Sequence, residues 1–239
     1  FVTSVANIAL DSELGACGAT ASWTDPELTD NCDDLLDLSS SHPNGGQFPV
    51  GTTEVTLTAT DDHGNNSTST FTVTVTDVED PMITAMPATI EINNDLNQCG
   101  AVVTWSEPTI TDNCQVSSSG PDVANGSVFE VGSHVVTYTA TDSAGRTSSA
   151  SFDIIVTDAQ APAFTSTPEN MILDTDLDQC GAVANWTPAV PGDNCAILST
   201  ISTHNPGDFF PTGTSTVTTT TTDTAGLTAV HSFTLTVND

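Results

Sequence analysis

The sequence predicts an all-β fold: three tandem immunoglobulin-like β-sandwich domains arranged as an extended rod. Three observations carry this. A cysteine frame recurs three times, as CGATASWTDPELTDNC (Cys17 to Cys32), CGAVVTWSEPTITDNC (Cys99 to Cys114) and CGAVANWTPAVPGDNC (Cys180 to Cys195). Gly51, Gly132 and Gly213 repeat at the same period, as do Asp61, Asp142 and Asp223. Between the frames, apolar residues alternate with Thr, and there is almost no helical periodicity. The period exceeds the 20 to 50 residues typical of solenoids, so each copy is expected to hold its own core. The expected domains are residues 1–77, 78–158 and 159–239.

Within a copy, the segments around Ile8 and Leu10, Ile90 and Ile92, and Ile172 and Leu173 read as a first strand. The Ala-to-Trp stretch after each first cysteine reads as the second. TEVTLTAT (Thr53 to Thr60) places Val55, Leu57 and Ala59 on one face; STFTVTVTD (Ser69 to Asp77) does the same with Phe71, Val73 and Val75. Such alternation marks half-buried antiparallel strands. DDHGNN, DSAGR and DTAGL between them are Gly-containing hairpin turns. A Trp six residues after each first cysteine completes the sandwich signature.

Composition narrows the function classes. One Lys or Arg stands against 31 Asp and Glu, a formal net charge of −30, and Arg146 is the only strong base. A nucleic-acid backbone requires clustered cations, so that partner is excluded, and adhesion to anionic lipid is disfavoured. No apolar run approaches a membrane span, so no membrane insertion is expected in this segment.

The stretch FPVGTTEVTLTATDDHGN (Phe48 to Asn65) followed by FTVTVTD (Phe71 to Asp77) resembles the hyalin repeat (HYR) family. So do FEVGSHVVTYTATDSAG (Phe129 to Gly145), and FPTG (Phe210 to Gly213) with TDTAG (Thr222 to Gly226). The resemblance implies immunoglobulin-like sandwiches in extracellular, often adhesive, proteins, and no catalysis. Many members carry two further cysteines per repeat; here those columns hold Ser4, Met86 and Thr167, and Ser69, Ala150 and His231. The third copy also departs in its core, with Thr219 and Thr221 where the first has Leu57 and Ala59. Those hydroxyls need hydrogen-bond partners or face a thin, wet core, so this domain is expected to be the weakest.

A zinc site requires about four close ligands and a redox pair usually reads C-x-x-C; neither fits two cysteines fifteen positions apart. Of the histidines, His63, His134 and His231 fall in three different columns, while His42 and His204 align but face Val123 in the middle copy. No catalytic residue is expected. Six cysteines allow fifteen pairings, and the repeat favours Cys17–Cys32, Cys99–Cys114 and Cys180–Cys195. Closing such a loop is worth roughly 3 kcal/mol and points to an extracellular or cell-surface location.

Calcium is the one candidate cofactor. The joints VTDVEDP (Val75 to Pro81) and VTDAQAP (Val156 to Pro162) are similar in spacing to acidic linkers of calcium-dependent cadherins. Asp77, Glu79 and Asp80 offer oxygen ligands; the second joint keeps only Asp158, so binding is expected to be weak and unequal. The DTDLD stretch (Asp174 to Asp178) and Asp30, Asp112 and Asp193 are further acidic candidates, although Asp before a cysteine more often caps a turn. Asn65, Asn66, Asn125 and Asn185 open N-x-[ST] sequons, as many as chance supplies. Outward Thr could carry O-glycans, but β-propensity accounts for them equally well.

The leading functional expectation is a non-catalytic structural protein, a repeat unit of an extracellular stalk, fibre or filament. Its partners would be copies of itself head to tail, or flanking repeats of the same chain. Phe1 aligns with Ile83 and Phe164, and Asp239 with Asp77 and Asp158, which suits a head-to-tail array. An alternative is an adhesive module for a glycan or a surface protein, which should expose aromatics in one loop cluster. A second is a spacer from a large secreted enzyme.

Overall fold

The Val/Thr alternation produces the long hairpin that the sequence predicts. The computed structural model describes residues 1–32 and 36–239. In the first copy the strands are β1 (Ile8–Asp11), β2 (Gly18–Ala21), β3 (Asp37–Ser40), β4 (Gly46–Pro49), β5 (Gly51–Thr60) and β6 (Asn66–Thr76). No helix occurs among the described residues. β3, β5 and β6 pair antiparallel in that order, and β1 joins the far side of β6 in parallel, Ile8 opposite Val73. β2 pairs with β4 in the facing layer. Val55, Leu57, Phe71, Val73 and Val75 point inward against Ala19, Ala21 and Phe48. Fully burying one such side chain is worth about 1.5–3 kcal/mol. Trp23 is half-buried and closes the core edge-on against Phe71, ring centroids 5.1 Å apart.

Two compact units divide the chain, one of residues 1–86, 107–122 and 137–151, the other of residues 87–106, 123–136 and 152–239. The boundary runs through the middle copy, so each joint between copies lies wholly within one unit. In the first unit, Met82–Thr84 pairs antiparallel with Thr109–Thr111, and Val116–Pro121 pairs with the end of Gly132–Asp142.

The second unit repeats the scheme. Ile90–Asn93 runs parallel to the end of Thr147–Thr157, and Gly100–Val102 pairs with Val128–Glu130. In the third copy Met171–Asp174, Thr228–Asn238, Gly213–Asp223 and Ile197–Ser202 form one sheet, and Gly181–Val183 pairs with Phe209–Pro211. The inward threonines there are satisfied. Thr221, fully buried, donates to the Ser199 carbonyl at 3.2 Å, and Thr219 donates to Ser202 Oγ at 3.3 Å.

Close packing fixes one glycine column. A Cβ on Gly18 would collide with the Phe48 carbonyl oxygen, and Gly100 and Gly181 meet Phe129 and Phe210 in the same way. The strand leaving each first cysteine is therefore pressed onto its neighbour where only a hydrogen fits.

Candidate metal centre

Strand register brings three aspartates together at each joint. Asp77 directly follows the β6 strand of the first copy and precedes the linker Val78 to Pro81. The next strand pairs Met82 with Thr111, which sets Asp112 beside that linker. Val116 lies opposite Asp142, which opens the hairpin turn of the middle copy. One ligand oxygen from each of Asp77, Asp112 and Asp142 lies within 4.8 Å of the other two. The second unit builds the same group from Asp158, Asp193 and Asp223, with Ala163 opposite Gly192 and Ile197 opposite Asp223.

Each carboxylate is held by one oxygen. Asp77 Oδ1 accepts from Glu79 N at 3.2 Å and from Asn113 Nδ2 at 3.2 Å. Asp112 Oδ2 accepts from Cys114 N at 2.9 Å, and Asp142 Oδ1 from Arg146 N at 2.8 Å. The second joint matches: Asp158 Oδ1 takes Gln160 N and Asn194 Nδ2, Asp193 Oδ2 takes Cys195 N, and Asp223 Oδ1 takes Leu227 N. The other oxygen of every one of the six is buried without a hydrogen-bond partner among the described residues. Asn113 Oδ1 and Asn194 Oδ1 share that condition. Two carboxylates this close repel by roughly 3–4 kcal/mol at an effective dielectric of 20.

Asp77 is the one expected calcium candidate of its linker that joins the group. Glu79 Oε1 instead accepts the Gly15 backbone N–H at 2.5 Å, and Gln160 Oε1 does the same for Asn97 at 2.8 Å. A neutral amide fills the role in the second copy, so the Glu79 charge is not what the position needs. Asp80 pairs with Arg146 Nε at 2.7 Å. Asp112 and Asp193 belong to the group, and both also cap the turn before a cysteine. Asp142 and Asp223 were visible only as a repeating column. Asp30 lies in the matching column of the first copy and is exposed. Both oxygens of Asp61 are satisfied locally, by His63 N, Asn65 N and Asn65 Nδ2. The Asn65 amide holds the Asp61 carboxyl below the ordinary aspartate range.

The cysteines correct the expected pairing. Cys17 bonds to Cys114 and Cys99 to Cys195, with Cα atoms 4.6 and 4.7 Å apart, and Cys32 and Cys180 are unpaired. The reason is the length of the sandwich. In the third copy Cys180 follows a strand ending beside Asn238, where Thr175 N reaches the Asn238 carbonyl. Cys195 sits beside the hairpin turn at the other end, where Thr224 N reaches the Ala196 carbonyl. The 11-residue strand Thr228–Asn238 separates these ends, and at about 3.4 Å per residue that is far beyond disulfide reach. The first cysteine of one copy instead meets the second cysteine of the next. Asn113 fastens the same place, donating to the Ala16 carbonyl at 3.1 Å, and Asn194 does so to Gln98 at 3.0 Å.

The remaining candidates lie elsewhere. The Asn125 amide brackets the Trp105 backbone, accepting from its N–H at 3.1 Å and donating to its carbonyl at 2.8 Å. Asn65 Nδ2 is engaged by Asp61. Asn66 and Asn185 are exposed. His42 and His204 lean on Phe48 and Phe210, His63 pairs with Asp62, and His134 and His231 contact the carbonyls of Glu130 and Pro168.

Comparison with known proteins places these features in context. The HYR domain family model matches residues 1–75, 76–156 and 157–237. Hyalin of Lytechinus variegatus is 34% identical over 238 residues, covering 95% of this chain and 44% of that protein. Hyalin of Strongylocentrotus purpuratus is also 34% identical, covering 99% of this chain and 20% of that protein. The chain thus spans less than half the length of these curated relatives. Among solved structures, the protocadherin gammaB7 EC3-6 cis-dimer aligns over 99% of this chain and 76% of its own, at 18% identity and a TM-score of 0.34.

Proposed function

Because the chain belongs to the HYR domain family, we propose that it is a non-catalytic, extracellular structural segment of a surface stalk, fibre or filament. Its domains are residues 1–77, 78–158 and 159–239, each fastened covalently to the next. The observation that carries this reading is the direction of the disulfides. Each links the first cysteine of one copy to the second cysteine of the copy that follows. Cys180 belongs to the column whose partner lies in a following copy, and Cys32 to the column whose partner lies in a preceding one. Both are exposed, and they are complementary halves of one further bridge. A neighbouring repeat, in the same chain or in another molecule, supplies the missing half. Its formation takes two electrons and two protons from the thiols, delivered to a disulfide oxidant of the secretory or extracellular space.

Non-reducing peptide mapping of the native material tests this. Cys180 linked to Cys32 of a second copy supports a polymer of subunits, and Cys180 linked to a further repeat of the same polypeptide supports a longer array. Free Cys32 and Cys180 thiols in oxidised native material would overturn the reading.

A further inference from the structure

We propose that each joint binds one hard divalent cation, and that calcium is the ion it fits. The proposal is independent of the polymer reading above and stands on four features of the two acid groups. The donors are all oxygen, with no His or Cys in either group, which favours calcium or magnesium over zinc or copper. Oxygens bound to one calcium at 2.3–2.6 Å lie at most about 5 Å from one another, and those of each triad are within 4.8 Å. The acids are also deeply buried: Asp77, Asp142, Asp158 and Asp223 are 3%, 2%, 4% and 0% exposed. Each nonetheless leaves its Oδ2 without a partner, and an unpaired buried carboxylate oxygen is costly unless a cation meets it.

The third feature is preorganisation. In all six aspartates the protein holds one oxygen and leaves the other bare, so orientation is set before any ion arrives. Asn113, bound to Asp77 through its nitrogen, has its own amide oxygen buried and bare, and Asn194 repeats this beside Asp158. The fourth is the absence of a basic partner. Arg146 is the only Lys or Arg in the sequence, and its side chain pairs with Asp80. At the second joint Leu227 takes its place. Three carboxylates carry more charge than one dication neutralises, so affinity rather than charge balance drives binding, and waters complete the shell.

Among the described residues the first copy shows no such group, and the construction explains why. Asp61 occupies the column of Asp142 and Asp223, but Asn65 caps the oxygen that the others leave bare. A centre forms only where a preceding copy contributes the Asp77 or Asp158 carboxylate.

Calorimetric titration of the chelator-treated, oxidised chain with calcium chloride tests the proposal. The expected result is two equivalents, with a dissociation constant at or below the weak end of extracellular calcium modules, about 1 mM. Calcium should also raise the thermal midpoint. Asp142→Asn reduces the stoichiometry to one, and Asp142→Asn with Asp223→Asn abolishes binding. Should those substitutions disturb the hairpin turns, Asp112→Asn and Asp193→Asn give the same loss through residues outside them. Parallel titrations with magnesium and zinc chlorides should give weaker binding. Silence in both heat and thermal midpoint at about 10 mM calcium, ten times that weak end, would overturn the proposal. So would two equivalents surviving in both double variants, or zinc binding more tightly than calcium.

Discussion

The side-chain amide of Asn113 donates to Asp77 Oδ1 at 3.2 Å and to the Ala16 carbonyl at 3.1 Å, and so joins the end of one copy to the start of the next. Asn194 makes the same pair of bonds to Asp158 and Gln98. These asparagines sit between the aspartate and the cysteine of the D-N-C triplet. Each residue of the triplet has a separate task at the joint: a carboxylate for the acid group, an amide for the neighbouring copy, and a thiol for the bridge.

Reduction or loss of one bridge should loosen its own joint and leave the sandwich cores intact. Cys114→Ser removes the Cys17–Cys114 link and is expected to cost about 2–5 kcal/mol, the usual range for a native disulfide. Peptide mapping of the oxidised chain should find Cys17 with Cys114 and Cys99 with Cys195, and chemical denaturation of the variant measures the cost.

Glu79→Gln should be nearly silent, within about 0.5 kcal/mol, because Gln160 already fills the equivalent place. Glu79→Ala removes the acceptor from Gly15 N and is expected to cost about 1 kcal/mol. Neither should alter calcium stoichiometry, and denaturation alongside titration separates the two effects.

Thr221→Val keeps the shape of a buried side chain but strips its bond to the Ser199 carbonyl. The expected loss is about 1–3 kcal/mol, the range for leaving a buried acceptor unpaired. A gain in stability would show that the hydroxyl weakens the third core.

Asp61 is expected to titrate below the ordinary aspartate range, chiefly through the Asn65 side-chain bond. A depressed folded-state pKa means that this contribution is present above the unfolded value and lost as pH falls through the folded one. NMR titration of the carboxyl should show the shift in the native chain and its reduction in Asn65→Ala, with the loss confined to acidic pH.

Much of the fold was legible because it is local. The strands of Val55, Leu57, Phe71 and Val73 follow from period-two alternation, and the hairpin turns from Gly64, Gly145 and Gly226, whose backbones take φ of 85 to 87°. The parallel docking of β1 on β6 was not legible, since pairing direction depends on how the chain returns. Asp77 was found from linker acidity, but that signal also drew in Glu79 and Asp80, whose partners are a backbone amide and Arg146. Asp142 was seen as a column without a role, because its neighbours in the group are 65 and 30 positions away in sequence.

The sequence by itself determined the repeat, the inward and outward faces of each strand, and the presence of one cysteine pair and three acidic columns in every copy. These are properties of residue order over short spans, where alternation and turn chemistry act directly. Only the tertiary structure decided which cysteine meets which and which acids converge. A strand of 10 or 11 residues carries the two cysteines of a copy to opposite ends, so proximity in sequence becomes distance in space, and the partner of each lies in the adjoining copy.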